Sequence, residues 1–67
     1  MAVARVTKIT ASSTKGFEEA VTAGLKRASK TVRGITGLHV IDQKASVKKG
    51  KIDEYRVTME LTFVLEE

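Results

Sequence analysis

The sequence has no cysteine, so no disulfide can brace the fold and no thiolate can serve as nucleophile or metal ligand. His39 is the sole histidine, which excludes a paired-histidine zinc site within one chain. No proline, low-complexity tract, linker or internal repeat divides the 67 residues, and residues 1–67 are expected to form one domain. No apolar run approaches the length of a signal sequence or a membrane span, and the expected setting is soluble and cytoplasmic, away from membranes. A nucleophile–base pair, a G-x-S-x-G turn and a phosphate-binding loop are all missing, so an enzyme is not expected. The net charge of +4 is modest and compatible with an anionic ligand. A chain of this size buries only about 60 % of the surface it exposes when unfolded. With no disulfide to help, oligomerisation is the remaining way to stabilise it.

What is present is alternation. In "YRVTMELTFVLEE", every second residue from Tyr55 is apolar: Val57, Met59, Leu61, Phe63 and Leu65 follow. This is the pattern of a long strand with one buried face. "VARVTKIT" (3–10) is rich in β-branched residues and reads as a strand, and "ITGLHVIDQKASV" (35–47) as another, weakened at Gly37. Between them Phe17, Val21, Gly24, Leu25, Ala28 and Val32 recur at steps of three and four, which predicts a helix over about 14–33. Ser12, Ser13 or Thr14 can cap its first amides, Glu18 and Glu19 suit its positive end, and Gly34 suits its C-terminal stop. "KKGK" (48–51) reads as the turn of a hairpin. The predicted fold is α+β in the order β-α-β-β, a three-stranded antiparallel sheet wrapped on one helix.

A hairpin centred between Lys49 and Gly50 pairs Leu38 with Leu61, Val40 with Met59 and Thr36 with Phe63. One face then carries the apolar residues, and the helix covers it. The other face carries Gly37, His39, Ile41, Gln43, Arg56, Thr58, Glu60 and Thr62. No element is left to cover that face, so it is solvated, or it meets other subunits or a ligand.

The run "RVTKITASSTKGFEEAVTAGLKRASKTVRGITGLHVIDQ", followed by a hairpin and "EYRVTMELTFVLEE", resembles the dodecin family along nearly the whole chain. The likeness lies in the element order, the Thr/Ser-rich turn before "GFEEAV", the "RASKTVRGI" helix end and the Tyr-x-Val opening of a long last strand. The resemblance implies a homododecamer, a hollow shell in which long strands make subunit contacts, and a small ligand that is bound and stored. The family's usual ligand is a flavin: riboflavin, FMN or FAD. The resemblance places the flavin-stacking tryptophan at Gly37 and the flavin-binding glutamine at Arg56, both departures from the family pattern. His39, Gln43 and Thr58 are possible further contacts. Weak flavin binding is therefore expected, and the chain looks closer to members without that tryptophan, such as calcium dodecin. Calcium or an anionic cofactor such as coenzyme A is the alternative ligand.

Other features compete with these readings. Arg56 can grip an anion, or it can make a cross-strand pair with Glu60 or near Gln43. A lone strand histidine such as His39 is most often structural. Phe17, Tyr55 and Phe63 fall on apolar-face positions, so they belong to the core and leave no base-stacking platform. Lys44, Lys48, Lys49 and Lys51 form a basic hairpin tip. It can meet nucleic acid, and an RNA- or protein-binding α+β module is the rival reading, but such a tip more often guards a strand end. Asp53, Glu54, Glu60, Glu66 and Glu67 offer oxygen ligands for calcium between subunits, without any EF-hand spacing.

Overall fold

The structure, a computed structural model, describes residues 3–65. It contains β1 (Val3–Ser13), α1 (Phe17–Ala28), β2 (Ile35–Lys48) and β3 (Lys51–Leu65). The strands form one antiparallel sheet in the order β1-β3-β2. The strand with the cleanest alternation is thus the central one. It pairs on both sides, and its apolar residues Val57, Met59 and Leu61 are fully buried. Each such side chain contributes about 1.5–3 kcal/mol of burial. With Ala20 of α1 they form the core, flanked by Ile9, Ala11, Phe17, Val21, Leu25, Ala28, Ile35 and Val40. Phe17 meets Tyr55 edge-on, with ring centroids 5.0 Å apart.

The strands are longer than the alternation alone indicates, and the helix is shorter. β3 starts at Lys51 because the hairpin zips down to its turn, where Lys48 faces Lys51. Lys49 and Gly50 both take positive φ, 52° and 77°, as a type I′ hairpin turn requires. β1 runs on to Ser13, opposite Tyr55, and so removes residues from the expected start of the helix. Ser13 Oγ accepts from the Lys15 amide at 3.0 Å, which makes a local turn rather than a helix cap. Gly16 takes the N-cap position with no side-chain bond.

At the other end, α1 tightens and stops after Ala28 instead of reaching Arg33. The amides of Lys30 and Thr31 donate to the carbonyls three residues earlier, at 3.2 and 3.1 Å. Ser29 Oγ also donates to the Leu25 carbonyl at 2.8 Å. Gly34, at φ 76°, then turns the chain back, and its carbonyl accepts from the Val64 amide at 3.0 Å.

The molecule measures 52 × 20 × 13 Å, a long and thin shape with one helix on one side of the sheet. Val3, Val6, Leu38, Ile41, Val47, Ile52 and Leu65 remain exposed.

Candidate functional site: the open face of the sheet

β3 determines which side chains share the uncovered face. Arg56, Thr58, Glu60 and Thr62 alternate with the buried residues and must point the other way. Their partners on β1 are Ser12, Thr10, Lys8 and Val6. Their partners on β2 are Lys44, Asp42, His39 and Gly37. Directly opposed residues lie on the same side of a sheet, so these twelve positions form one surface.

The register on β2 departs from simple alternation. Leu38 faces Leu61 and Val40 faces Met59 as expected, but the count shifts between Val40 and Asp42. Asp42 then faces Thr58, and Gln43 faces the buried Val57. The extra residue of a bulge reverses the parity beyond it. Gln43 therefore lies on the helix side and not beside Arg56, and Asp42 takes a place on the open face that alternation assigns to Ile41 and Gln43. A second shift, between Ile35 and Gly37, pairs Phe63 with Ile35 rather than with Thr36. The position of a bulge is set by pairing with the neighbouring strand and not by the residues that flank it. Lys44 and Asp42 are the open-face residues that the alternation misses for this reason.

Gly37 and Arg56 stand on the same open face, together with His39 and Thr58. A side-chain carbon built on Gly37 would meet no atom within 4 Å. A depression of about 330 Å³, lined by Leu25, Ser29, Ile35, Thr36 and Leu38, reaches Gly37 from the helix side of the sheet and not from the open face. Arg56 Nη2 donates to Glu54 Oε1 at 2.8 Å, a charge-assisted bond to the residue two positions earlier and not to Glu60, which lies on the same strand. Lys44, Ala45, Ser46, Glu54 and Arg56 surround a smaller hollow of about 190 Å³. Lys44 Nζ lies 3.5 Å from Asp42 Oδ2. The hydroxyls of Thr10 and Thr58 are 3.2 Å apart and tie β1 to β3 on this surface. His39 Nδ1 lies 3.8 Å from Glu60 Oε1, beyond hydrogen-bond range.

The hairpin tip is partly neutralised, because Lys48 Nζ lies 3.7 Å from Asp53 Oδ2. Ser46 Oγ also donates to that oxygen, at 3.5 Å. Among the described residues, no three His, Cys, Asp or Glu side chains converge as a metal cage within one chain. Glu66 and Glu67, two of the expected calcium donors, lie outside the described residues. Among the described residues, no helix is long and apolar enough to cross a membrane.

A long three-stranded antiparallel sheet folded on a single helix, with its second face bare, defines a class of small α+β domains, and comparison with known proteins gives that class its name. The sequence pattern of the family described as Dodecin matches residues 3–66. The dodecin of Thermus thermophilus is 33 % identical over 60 residues, covering 90 % of this chain and 87 % of that protein. The structure of the dodecin from Streptomyces davaonensis superposes with a TM-score of 0.94 at 32 % identity, covering 98 % of this chain and 97 % of the other. The calcium dodecin of Mycobacterium tuberculosis, described as having a novel calcium-binding site, matches with a TM-score of 0.82 at 32 % identity over 96 % of this chain and 91 % of its own. This chain belongs to the dodecin family.

Proposed function

We propose that the protein is a homo-oligomeric, dodecamer-forming shell that binds and stores a small ligand in the cytoplasm and catalyses no reaction. The observation that carries this reading is the sheet itself. Its three strands are long, only one face is packed by the helix, and seven large apolar side chains stay exposed. A surface of this kind is stabilised by burial against further copies. The ligand surface is the open face around Gly37 and Arg56, with His39 and Thr58 beside them; the position of Gln43 opposite Val57 takes it out of this group.

Flavin is bound weakly on this reading. Gly37 offers a ligand ring no side chain to stack on, and Arg56 has only donors for an edge that needs donors and acceptors. The guanidinium is, in addition, already engaged by Glu54. The resemblance to calcium dodecin favours a second reading, in which carboxylates of neighbouring subunits hold calcium. Coenzyme A remains the anionic alternative, favoured by the cations Lys44 and Arg56 at one hollow. The RNA- or protein-binding module is the reading least supported, since the tip lysine Lys48 already faces Asp53.

Light scattering on the purified protein, joined with mass analysis of any released ligand, tests the proposal. A particle of about twelve subunits carrying a small molecule or calcium supports it. A monomer or dimer that co-purifies with nucleic acid overturns it.

A further inference from the structure

We infer that the tip of the β2–β3 hairpin docks into an apolar hollow between α1 and β1 of a second copy of this chain. The inference rests on the homo-oligomer proposed above and names two patches that meet in it.

The tip is the first argument. β1 ends at Ser13, opposite Tyr55, and Phe17, the first residue of α1, packs on that same tyrosine. Beyond Tyr55 neither a third strand nor the helix accompanies the hairpin, and residues 46–54 form a bare two-stranded ribbon. Such a ribbon is marginal in water unless something packs against it. This one stays paired down to Lys48 opposite Lys51, and it carries Val47 and Ile52 as direct cross-strand partners. Val47 is 63 % and Ile52 51 % exposed. They form an apolar surface that only a neighbour can cover.

The hollow is the second argument. It measures about 330 Å³ and is lined by Ile9, Ala11, Ala23, Gly24 and Ala28, with Arg27 as its charged member. The recess exists because most of these side chains are small, and branched side chains such as those of Val47 and Ile52 fill what small ones leave open. The chain cannot fill its own hollow with its own tip. Ala11 pairs with Val57, and Ile52 lies five residues farther along β3, roughly 17 Å away.

The charges agree with this seating. Glu19 precedes Ala23 by one helical turn, on the same stripe of α1. Among the described residues, Glu19 has no cation within ion-pair distance, and neither Lys49 nor Lys51 has an acid. Docking brings these unmatched charges together. Arg27 has the same sign as the tip lysines, and Asp53, beside Ile52, is the acid that can meet it. Tip and hollow are different patches, so the contact is heterologous, the kind that closes copies into a ring.

The chain has no cysteine, so engineered thiols report the contact without background. The test is thiol crosslinking of the assembled protein carrying Val47→Cys and Ala23→Cys together, with each single variant as control. Both positions are exposed, so the replacements keep the fold, and circular dichroism verifies this; Thr10→Cys, also in the lining, takes the place of Ala23→Cys if that variant misfolds. The expected result on a denaturing gel is a ladder of dimers and higher multiples from the double variant, and monomer from each single variant. The Val47→Cys thiol should also react with maleimide at least about tenfold more slowly in the assembled protein than in the chain unfolded by guanidinium. Light scattering on the same samples distinguishes a failed contact from a failed assembly. An oligomer that gives no ladder overturns the docking and leaves the proposed oligomer standing. A monomer overturns both. A ladder from either single variant means that like patches meet, and it overturns the inference as well.

Discussion

Gly24 of the helix and Met59 of the central strand meet with no room between them for a methyl group. A carbon added at Gly24 would lie 2.5 Å from Met59 Cε and 2.8 Å from Ala11 Cβ. The methionine tip can swing aside, but Ala11 can move only with β1. Alanine is about 1 kcal/mol better than glycine in a helix, and overpacking costs roughly 1–3 kcal/mol. We predict that Gly24→Ala is net destabilising by about 1 kcal/mol, measured by denaturant or thermal unfolding. A rise in stability would mean that the helix can lift off the sheet more easily than this contact implies.

Gly34 is the second glycine whose replacement should be costly, for a different reason. Its φ of 76° is unfavourable for any side chain, and a carbon there would lie 3.0 Å from the Val64 carbonyl. Gly50 has nearly the same φ, 77°, but open space around it. Gly34→Ala should therefore lose about 1–3 kcal/mol and Gly50→Ala about 1 kcal/mol. Melting temperatures of the two variants compare them directly, and equal losses would show that conformation alone, without the Val64 contact, sets the cost.

Met59 and Leu61 are fully buried in a small core that they share, among the described residues, with Ala20 and Val57 and with Gly24 of the helix. Met59→Asp or Leu61→Asp places an unpaired charge there, which no local rearrangement can hydrate. Fold and assembly are predicted to disappear together, as read by circular dichroism and gel filtration. A folded, stable monomer of either variant at micromolar concentration would show that assembly is separable from folding.

Gly37 and Arg56 are predicted to limit flavin affinity. Gly37→Trp with Arg56→Gln should strengthen riboflavin or FMN binding at least about tenfold, more than the product of the single changes, because stacking and edge contacts fix one pose. A side-chain carbon added at Gly37 meets no atom within 4 Å, so nothing in one chain blocks the first atom of the new side chain. Fluorescence-quenching titrations on the four proteins measure the effect. No gain in the double variant would mean that the surface is closed or shaped for another ligand.

Calcium bound by carboxylates of neighbouring subunits would stabilise the assembled state by mass action. A chelator should then lower the melting temperature, and added calcium should restore it. An unchanged melting temperature across that titration, with no calcium in the purified protein, removes this reading.

The strand alternation from Tyr55 to Leu65 determined, without any coordinates, that β3 has one buried face, but only its middle, Val57, Met59 and Leu61, is fully buried, while Tyr55 and Phe63 are half-buried and Leu65 is exposed. The apolar spacing of Phe17, Val21, Leu25 and Ala28 likewise made the helix legible, since an amphipathic period depends only on local chemistry. That Gly37 has no side chain and Arg56 only donors was also visible, because these are matters of identity and not of position.

Tertiary structure decided the ends of the elements and the membership of the open face. The helix stops at Ala28, although its periodicity continues to Val32, because the chain must turn at Gly34 to bond Val64. Gln43 left the open face and Asp42 joined it through one unpaired residue in β2. Asp42 in "HVIDQK" is a poor strand former, but that alone does not place a bulge, and only pairing against all of β3 determines where the extra residue goes. The pairing of Arg56 with Glu54, two residues away on the same face of one strand, is by contrast local and needs no particular register.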